Sequence, residues 1–190
     1  MVPTITKASP QKAKPRAPRR SRAVCEELLL QAAEDLLAKN SPADITIRDI
    51  AAKATVHHRF ISTWFVGKVE LFTIVHQRIS QRTRTLARNA SLSTPSSVAE
   101  LNLQLSLALW LIQNGVKFKS IEDAFPAIGG AIDRSVQELG MSHKEAEIVA
   151  HTVGSMVLAN FILQPHVAST TSLEELLGHY GKLIQKNKLK

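Results

Sequence analysis

TIRDIAAKATVHHRFISTWFVGK, residues 46–68, is the stretch whose reading decides the fold. Thr46 stands before Ile47-Arg48-Asp49, a hydroxyl with an acid three residues on, which is the pattern of a capped helix start. Ile50, Ala51 and Ala54 then share the inner side of a helix of barely two turns. After Thr55-Val56 a second short segment runs over residues 58–65. Burying Ile50, Ala54, Val56, Ile61 and Phe65 leaves His57, His58, Arg59, Ser62 and Thr63 facing outward. Two short helices joined by a tight turn form the geometry that lays the second helix into a DNA major groove. The outward groups suit such a helix, because Arg can pair with guanine edges, while His, Ser and Thr can donate or accept at bases and phosphates.

Working outward, Val24, Leu28, Leu29, Ala32, Ala33, Leu36 and Leu37 keep the three-and-four spacing of one helical face, fading at Asn40-Ser41-Pro42. This predicts a first helix that braces the pair. Downstream, residues 68–89 predict one long helix with Leu71, Val75, Ile79 and Leu86 on its buried stripe. Hydroxyl–acid pairs then recur at Ser97/Glu100, Ser120/Asp123, Ser142/Glu145 and Ser172/Glu175, marking further helix starts. Pro126 and Gly129-Gly130 predict a break within residues 121–139. Residues 146–163 are apolar on nearly every side, which predicts burial in a core or against another chain.

Composition agrees with an all-α protein of about nine helices. Aromatics make up 5% of the 190 residues, with eight Gly and eight Pro, while Leu, Ala and Ile are plentiful. One cysteine, Cys25, excludes an intramolecular disulfide and a multi-cysteine zinc site; it reads as a small apolar residue and fits a reducing, cytoplasmic setting. No uninterrupted apolar run reaches the roughly 18–20 residues that cross a bilayer, so no membrane partner is expected. The net charge of +8 is localised: seven of the 24 Lys and Arg precede residue 23 with no acid among them, leaving 17 against 16 acids elsewhere. Residues 1–20, with four of the prolines, read as a disordered basic arm.

Residues 22–71 resemble the DNA-binding domain of the tetracycline-repressor (TetR) family of bacterial transcriptional regulators. The likeness runs from Ala32-Ala33 and Leu36-Leu37 through Thr46 to Ala51, the turn Ala54-Thr55-Val56 and Trp64-Phe65, to Gly67-Lys68 and Leu71. The resemblance implies a basic arm (1–20), a helix-turn-helix domain (21–67) and a helical ligand-binding and dimerising domain (68–190). By the same resemblance Thr46, Arg48 and Lys68 contact phosphates. His58, Arg59 and Thr63 reach bases, and His57, Ser62 and Trp64 make phosphate or mixed contacts. Arg19, Arg20 and Arg22, nearest the reader, extend the arm onto phosphates or into the adjacent minor groove.

Three residues depart from the family pattern. Thr55 replaces the usual turn glycine, and a β-branched residue at positive φ is strained, which predicts a rearranged turn. Ser62 replaces a common Tyr, shortening or removing a phosphate contact. Phe60 replaces a small polar residue, so its ring either faces the groove or packs against the first helix.

The implied function is a homodimeric repressor, paired through helices near residues 144–163 and 172–187, that binds a palindromic double-stranded operator and is released by a small apolar ligand. No cofactor and no metal are implied. The histidines lack the spacing and companions of a metal site, and no nucleophile motif marks an enzyme. Candidates for the ligand pocket are Trp110, Gln113, Asn114, Phe118, Phe125, His151, Met156 and Asn160, with Met141 and Phe161 beside them. Two other classes compete. A helical carrier or enzyme that no longer reads DNA predicts ligand binding without an operator. A non-specific binder of nucleic acid or anionic membrane predicts binding that depends wholly on the arm.

Overall fold

The computed structural model describes residues 20–89 and 94–163, with isolated positions between 166 and 182. Eight α-helices are described: α1 (Arg22–Leu37), α2 (Ile47–Ala54), α3 (Arg59–Trp64), α4 (Lys68–Arg88), α5 (Pro95–Gln113), α6 (Ile121–Ala124), α7 (Pro126–Gln137) and α8 (His143–Leu163). The ninth helix expected over 172–187 lies largely outside the described residues. Its capping pair is nevertheless formed, with Ser172 N–H donating to Glu175 Oε2 at 2.8 Å and Glu175 N–H to Ser172 Oγ at 3.1 Å.

Local chemistry sets the helix boundaries. Ser21 caps α1 by accepting from Val24 N–H. Thr46 and Asp49 form a reciprocal capping box at α2. The α5 start differs from expectation: Thr94 is the cap, Pro95 opens the helix, and Ser97 is the third helical residue that reaches back to Thr94 N–H. Pro95 suits that first position because its missing N–H would have been unpaired there in any case. The break expected between residues 121 and 139 falls at Phe125, where α6 stops and Pro126 opens α7. Gly129 and Gly130 lie inside α7 and do not interrupt it. They serve a contact: a Cβ on Gly130 would sit 2.2 Å from the carbonyl oxygen of Arg84, so the α7 backbone rests directly on α4.

One apolar core joins the N-terminal helices to the rest of the chain. Leu29 and Ala33 of α1, Ile50 of α2 and Ile61 of α3 are fully buried against Leu71, Phe72 and Val75 of α4, and the same cluster continues to Leu107 and Leu111 of α5. Each large side chain among them contributes about 1.5–3 kcal/mol by leaving water, so the N-terminal half of α4 is held between α1–α3 and α5. Ion pairs reinforce it: Arg78 grips Glu27 of α1 through both carboxylate oxygens, and Arg82 bridges Glu34 of α1 and Glu100 of α5. Two smaller clusters seat α8. Val157 meets Leu101 and Leu105 of α5, while Ala146 and Ala150 meet Ile128 and Ile132 of α7.

By length and composition α8 is apolar enough to cross a membrane, its mean hydropathy staying high although polar residues interrupt its apolar runs; Lys144, Glu145 and Glu147 occupy its first turns. Its inner side packs on α7 and α5. Its other side leaves Ile148, Met156, Ile162 and Leu163 exposed.

Candidate nucleic-acid interface and internal cavity

The turn between α2 and α3 keeps the left-handed geometry that a glycine would adopt. Thr55 has φ 54° and ψ 44°. Thr55 N–H donates to Ala52 O at 3.1 Å and Val56 N–H to Ala51 O at 3.0 Å, the paired bonds of a Schellman helix end. The rearranged turn expected from Thr55 is therefore corrected: the hydrogen bonds and the packing of Val56 on the core hold the αL conformation in spite of the β-branch. On the far side of α3, Val66 is also left-handed, with φ 57°, and its side chain is exposed. The α3 helix is thus bracketed by two strained β-branched residues.

Along α3, Ile61 is fully buried and fixes the helix, while His57, His58, Arg59, Ser62 and Thr63 are exposed. His57 and His58 stack with ring centroids 4.5 Å apart, and His57 Nδ1 accepts from Arg59 N–H at 3.3 Å. Thr63 Oγ1 donates back to Arg59 O at 2.9 Å. Phe60 is half-buried. It stacks on Trp64 with centroids 4.3 Å apart and planes 9° from parallel, and the Arg22 guanidinium lies 5.6 Å from the Trp64 ring. The result is a half-buried aromatic plate beside a row of polar groups, joined to the start of α1 by a cation.

Arg20 and Arg48 are exposed, and so is Arg22, which pairs with Glu26 at 2.6 Å; Arg19 lies outside the described residues. Thr46 is exposed, but its hydroxyl is engaged in the cap, donating to Asp49 Oδ2 at 2.6 Å and accepting from Asp49 N–H at 3.2 Å. Hydrogen bonds from Thr46 hold the Asp49 carboxyl below its ordinary range. Lys68 turns inward. Its Nζ donates to Pro42 O at 2.8 Å and Ile45 O at 2.6 Å, and lies 4.8 Å from the centroid of Trp110. Burial lowers its pKa, with Asp44 opposing. The Lys68 side chain is thus a clip that pins the loop before α2, with its ammonium turned toward main-chain carbonyls.

A cavity of about 90 Å³ opens between α5, α6, α7 and α8, walled by apolar side chains such as Leu105, Phe125, Ile128, Val153 and Leu158, with Gln104 among them. Of the pocket candidates read from the sequence, Phe125 is in this wall. Trp110 packs edge-on against Phe72, Phe118 lies on His76, and Gln113 and Asn114 are exposed at the end of α5. Met156 is exposed, Asn160 is half-buried outside the wall, and His151 hydrogen-bonds Glu122 at 3.1 Å. Hydrogen bonds from Ser120, and secondarily from His151, hold Glu122 down to about 2.

Sequence reasoning missed the polar centre beside this cavity. Gln104 is fully buried, and its Nε2 donates to Ala124 O at 2.7 Å. Ala124 ends α6, so its carbonyl has no helical partner. His76 of α4, also buried, lies with Nε2 3.1 Å from the same oxygen and donates to it in the Nε2–H tautomer. Burial lowers the His76 pKa, against hydrogen bonding to Ala124 and the charge of Asp123. Gln104 Oε1 accepts no hydrogen bond among the described residues, an unmet acceptor that costs about 1–3 kcal/mol. Exchanging the amide atoms would set two acceptors 2.7 Å apart, so the nitrogen is the atom that faces Ala124 O in this structure. A signal existed in the sequence: Gln104 falls on the Leu101–Leu105–Ala108 face of α5, a polar residue at a core position.

The geometry is that of a helix-turn-helix mounted on an α-helical body. No family model matches the chain. It is 29% identical over 157 residues to the HTH-type transcriptional repressor Rv3405c of Mycobacterium tuberculosis, covering 79% of each protein. Its fold is shared with the TetR family repressor AlkX from Dietzia sp. (TM-score 0.52, 13% identity, covering 91% of this chain and 98% of that one). It is shared also with a TetR transcriptional regulator from Rhodococcus sp. RHA1 (TM-score 0.53, 15% identity, 88% and 98%). The chain thus resembles a mycobacterial HTH-type repressor in sequence and shares the fold of TetR-family proteins.

Proposed function

We propose that the protein is a cytoplasmic homodimeric repressor that reads a palindromic operator and is released by a small apolar ligand. The observation that carries DNA reading is the outward row of His58, Arg59 and Thr63 on a helix seated by the fully buried Ile61. Those three residues face the base edges, which discriminate by about 1–3 kcal/mol each. Thr46, Arg48, His57, Ser62 and Trp64 hold phosphates around them and set register. At Lys68 the phosphate contact passes to the first N–H groups of α4, whose N-cap Gly67 supplies no side chain. Arg19, Arg20 and Arg22 run along the backbone of the adjacent groove.

Pairing through α8 and the segment 172–187 would cover the exposed Ile148, Met156, Ile162 and Leu163. A twofold dimer then sets two readers about one helical turn, 34–36 Å, apart. A ligand in the cavity releases DNA only in so far as it binds better to a form with another spacing. The working division is a reader over 21–67 and a ligand-binding and dimerising unit over 68–190, with the core shared across α4.

The test is selection from a random duplex pool at about 150 mM salt, repeated with Arg59→Ala and Thr63→Ala. An enriched palindrome that relaxes at defined positions in the variants is the expected result. Salt-dependent binding without enrichment would refute sequence reading.

A further inference from the structure

The α5–α8 cavity has apolar walls and one buried polar group with an unspent acceptor. Gln104 commits its nitrogen to Ala124 O, while its oxygen, equally buried, accepts from nothing among the described residues. An acceptor removed from water in this way favours a neighbour that brings a donor, because the desolvation cost is already present before anything binds. The remaining wall offers little but hydrocarbon, from Leu105, Phe125, Ile128 and Leu158, which rewards apolar surface and penalises charge.

We propose that Gln104 is the polar anchor of this cavity, which takes an apolar molecule carrying a single hydrogen-bond donor, a hydroxyl or an N–H. The proposal rests on the reading of the protein as a ligand-responsive regulator and names the chemistry of that ligand. The cavity, about 90 Å³, is smaller than the roughly 150 Å³ that encloses a benzene ring. It is partly open to the surface, and Gln104 Oε1 is closed to solvent, so a donor on a ring or short chain reaches that oxygen as the amide turns toward the cavity. The anchor also lies one hydrogen bond from the helix that carries the reader. Gln104 and His76 of α4 meet at the same Ala124 oxygen, with 3.1 Å between Gln104 Nε2 and His76 Nε2. A donor that turns the Gln104 amide therefore disturbs a bond network shared by α4, α5 and the end of α6.

The experiment is titration calorimetry of the full-length protein with phenol and with fluorobenzene, matched in shape and different in one donor. Phenol is expected to bind at least about tenfold more tightly, with the preference falling below about twofold in Gln104→Met. The ¹⁵N–¹H resonances of the Gln104 side-chain amide should shift with phenol and stay with fluorobenzene in the wild-type protein, a readout that needs no variant to fold. Equal binding of the two probes, a phenol preference that survives Gln104→Met, or an unmoved amide would each overturn the anchor. Failure of both probes to bind overturns the ligand class. Operator binding by the same preparation, measured without any probe, tells that result apart from failure of the regulator reading.

Discussion

Replacing Thr55 by glycine should stabilise the protein. The residue sits at φ 54°, ψ 44° with an exposed side chain, and an L-residue in that region costs about 1–2 kcal/mol. Glycine removes that cost but loses more backbone freedom on folding, about 0.5–1 kcal/mol. The two bonds that define the turn, to Ala52 O and Ala51 O, are main-chain and survive the change. The balance is a gain of roughly 0.5–1 kcal/mol, which for a chain of this size raises Tm by about 1–4 °C. Thermal unfolding followed by circular dichroism measures it, with Thr55→Ala as control, because alanine sheds the β-branch but keeps the Cβ and should gain less. A fall in Tm for Thr55→Gly would refute the argument and show that the threonine side chain stabilises the turn. Operator affinity should stay within about twofold, because the same turn geometry presents the same helix.

Two further outcomes follow from the packing and from the buried histidine. Gly130→Ala places a methyl group 2.2 Å from Arg84 O, main chain that cannot swing aside, and should cost upwards of about 2 kcal/mol in denaturant unfolding, with Gly129→Ala, which meets only the mobile end of Arg84, costing much less. His76 is buried and its pKa is lowered, so below about pH 6.5 the unfolded chain takes up a proton that the folded protein resists. Stability is therefore fully present above that pH and declines on acidification, and a His76→Gln variant should show a flatter unfolding profile between pH 5 and 7.

The reader is legible in the sequence because its signals are local. The Thr46–Asp49 cap, the apolar register of Ile50, Ala54 and Ile61, and the turn between them all fall within a short stretch, and α2 begins and ends where the pattern puts it. The turn geometry at Thr55 escapes propensity because propensity is a local preference, whereas two main-chain bonds and the anchoring of Val56 decide the conformation. Spacing could not place the Lys68 ammonium, whose partners are carbonyls 23 and 26 residues earlier. The cavity is least legible. A pocket is a property of how α5, α7 and α8 cross, and aromatic or polar residues picked from a helix sequence do not reveal which side of a crossing they occupy. Trp110 and Phe118 stand out by size, yet both pack against α4, on Phe72 and His76.

The glycine contact between α7 and α4 has a mechanical side. Most helix pairs meet through interleaved side chains, which change rotamer and absorb small displacements. At Gly130 that compliant layer is missing, and peptide backbone rests on peptide backbone. The same helix presents Ala127, Ile128 and Ala131 to the cavity. Under the proposed ligand response, a molecule that pushes on this wall moves a rigid part with no backlash between it and α4, so the stiffness of this joint sets how small a ligand can be and still be felt at α3.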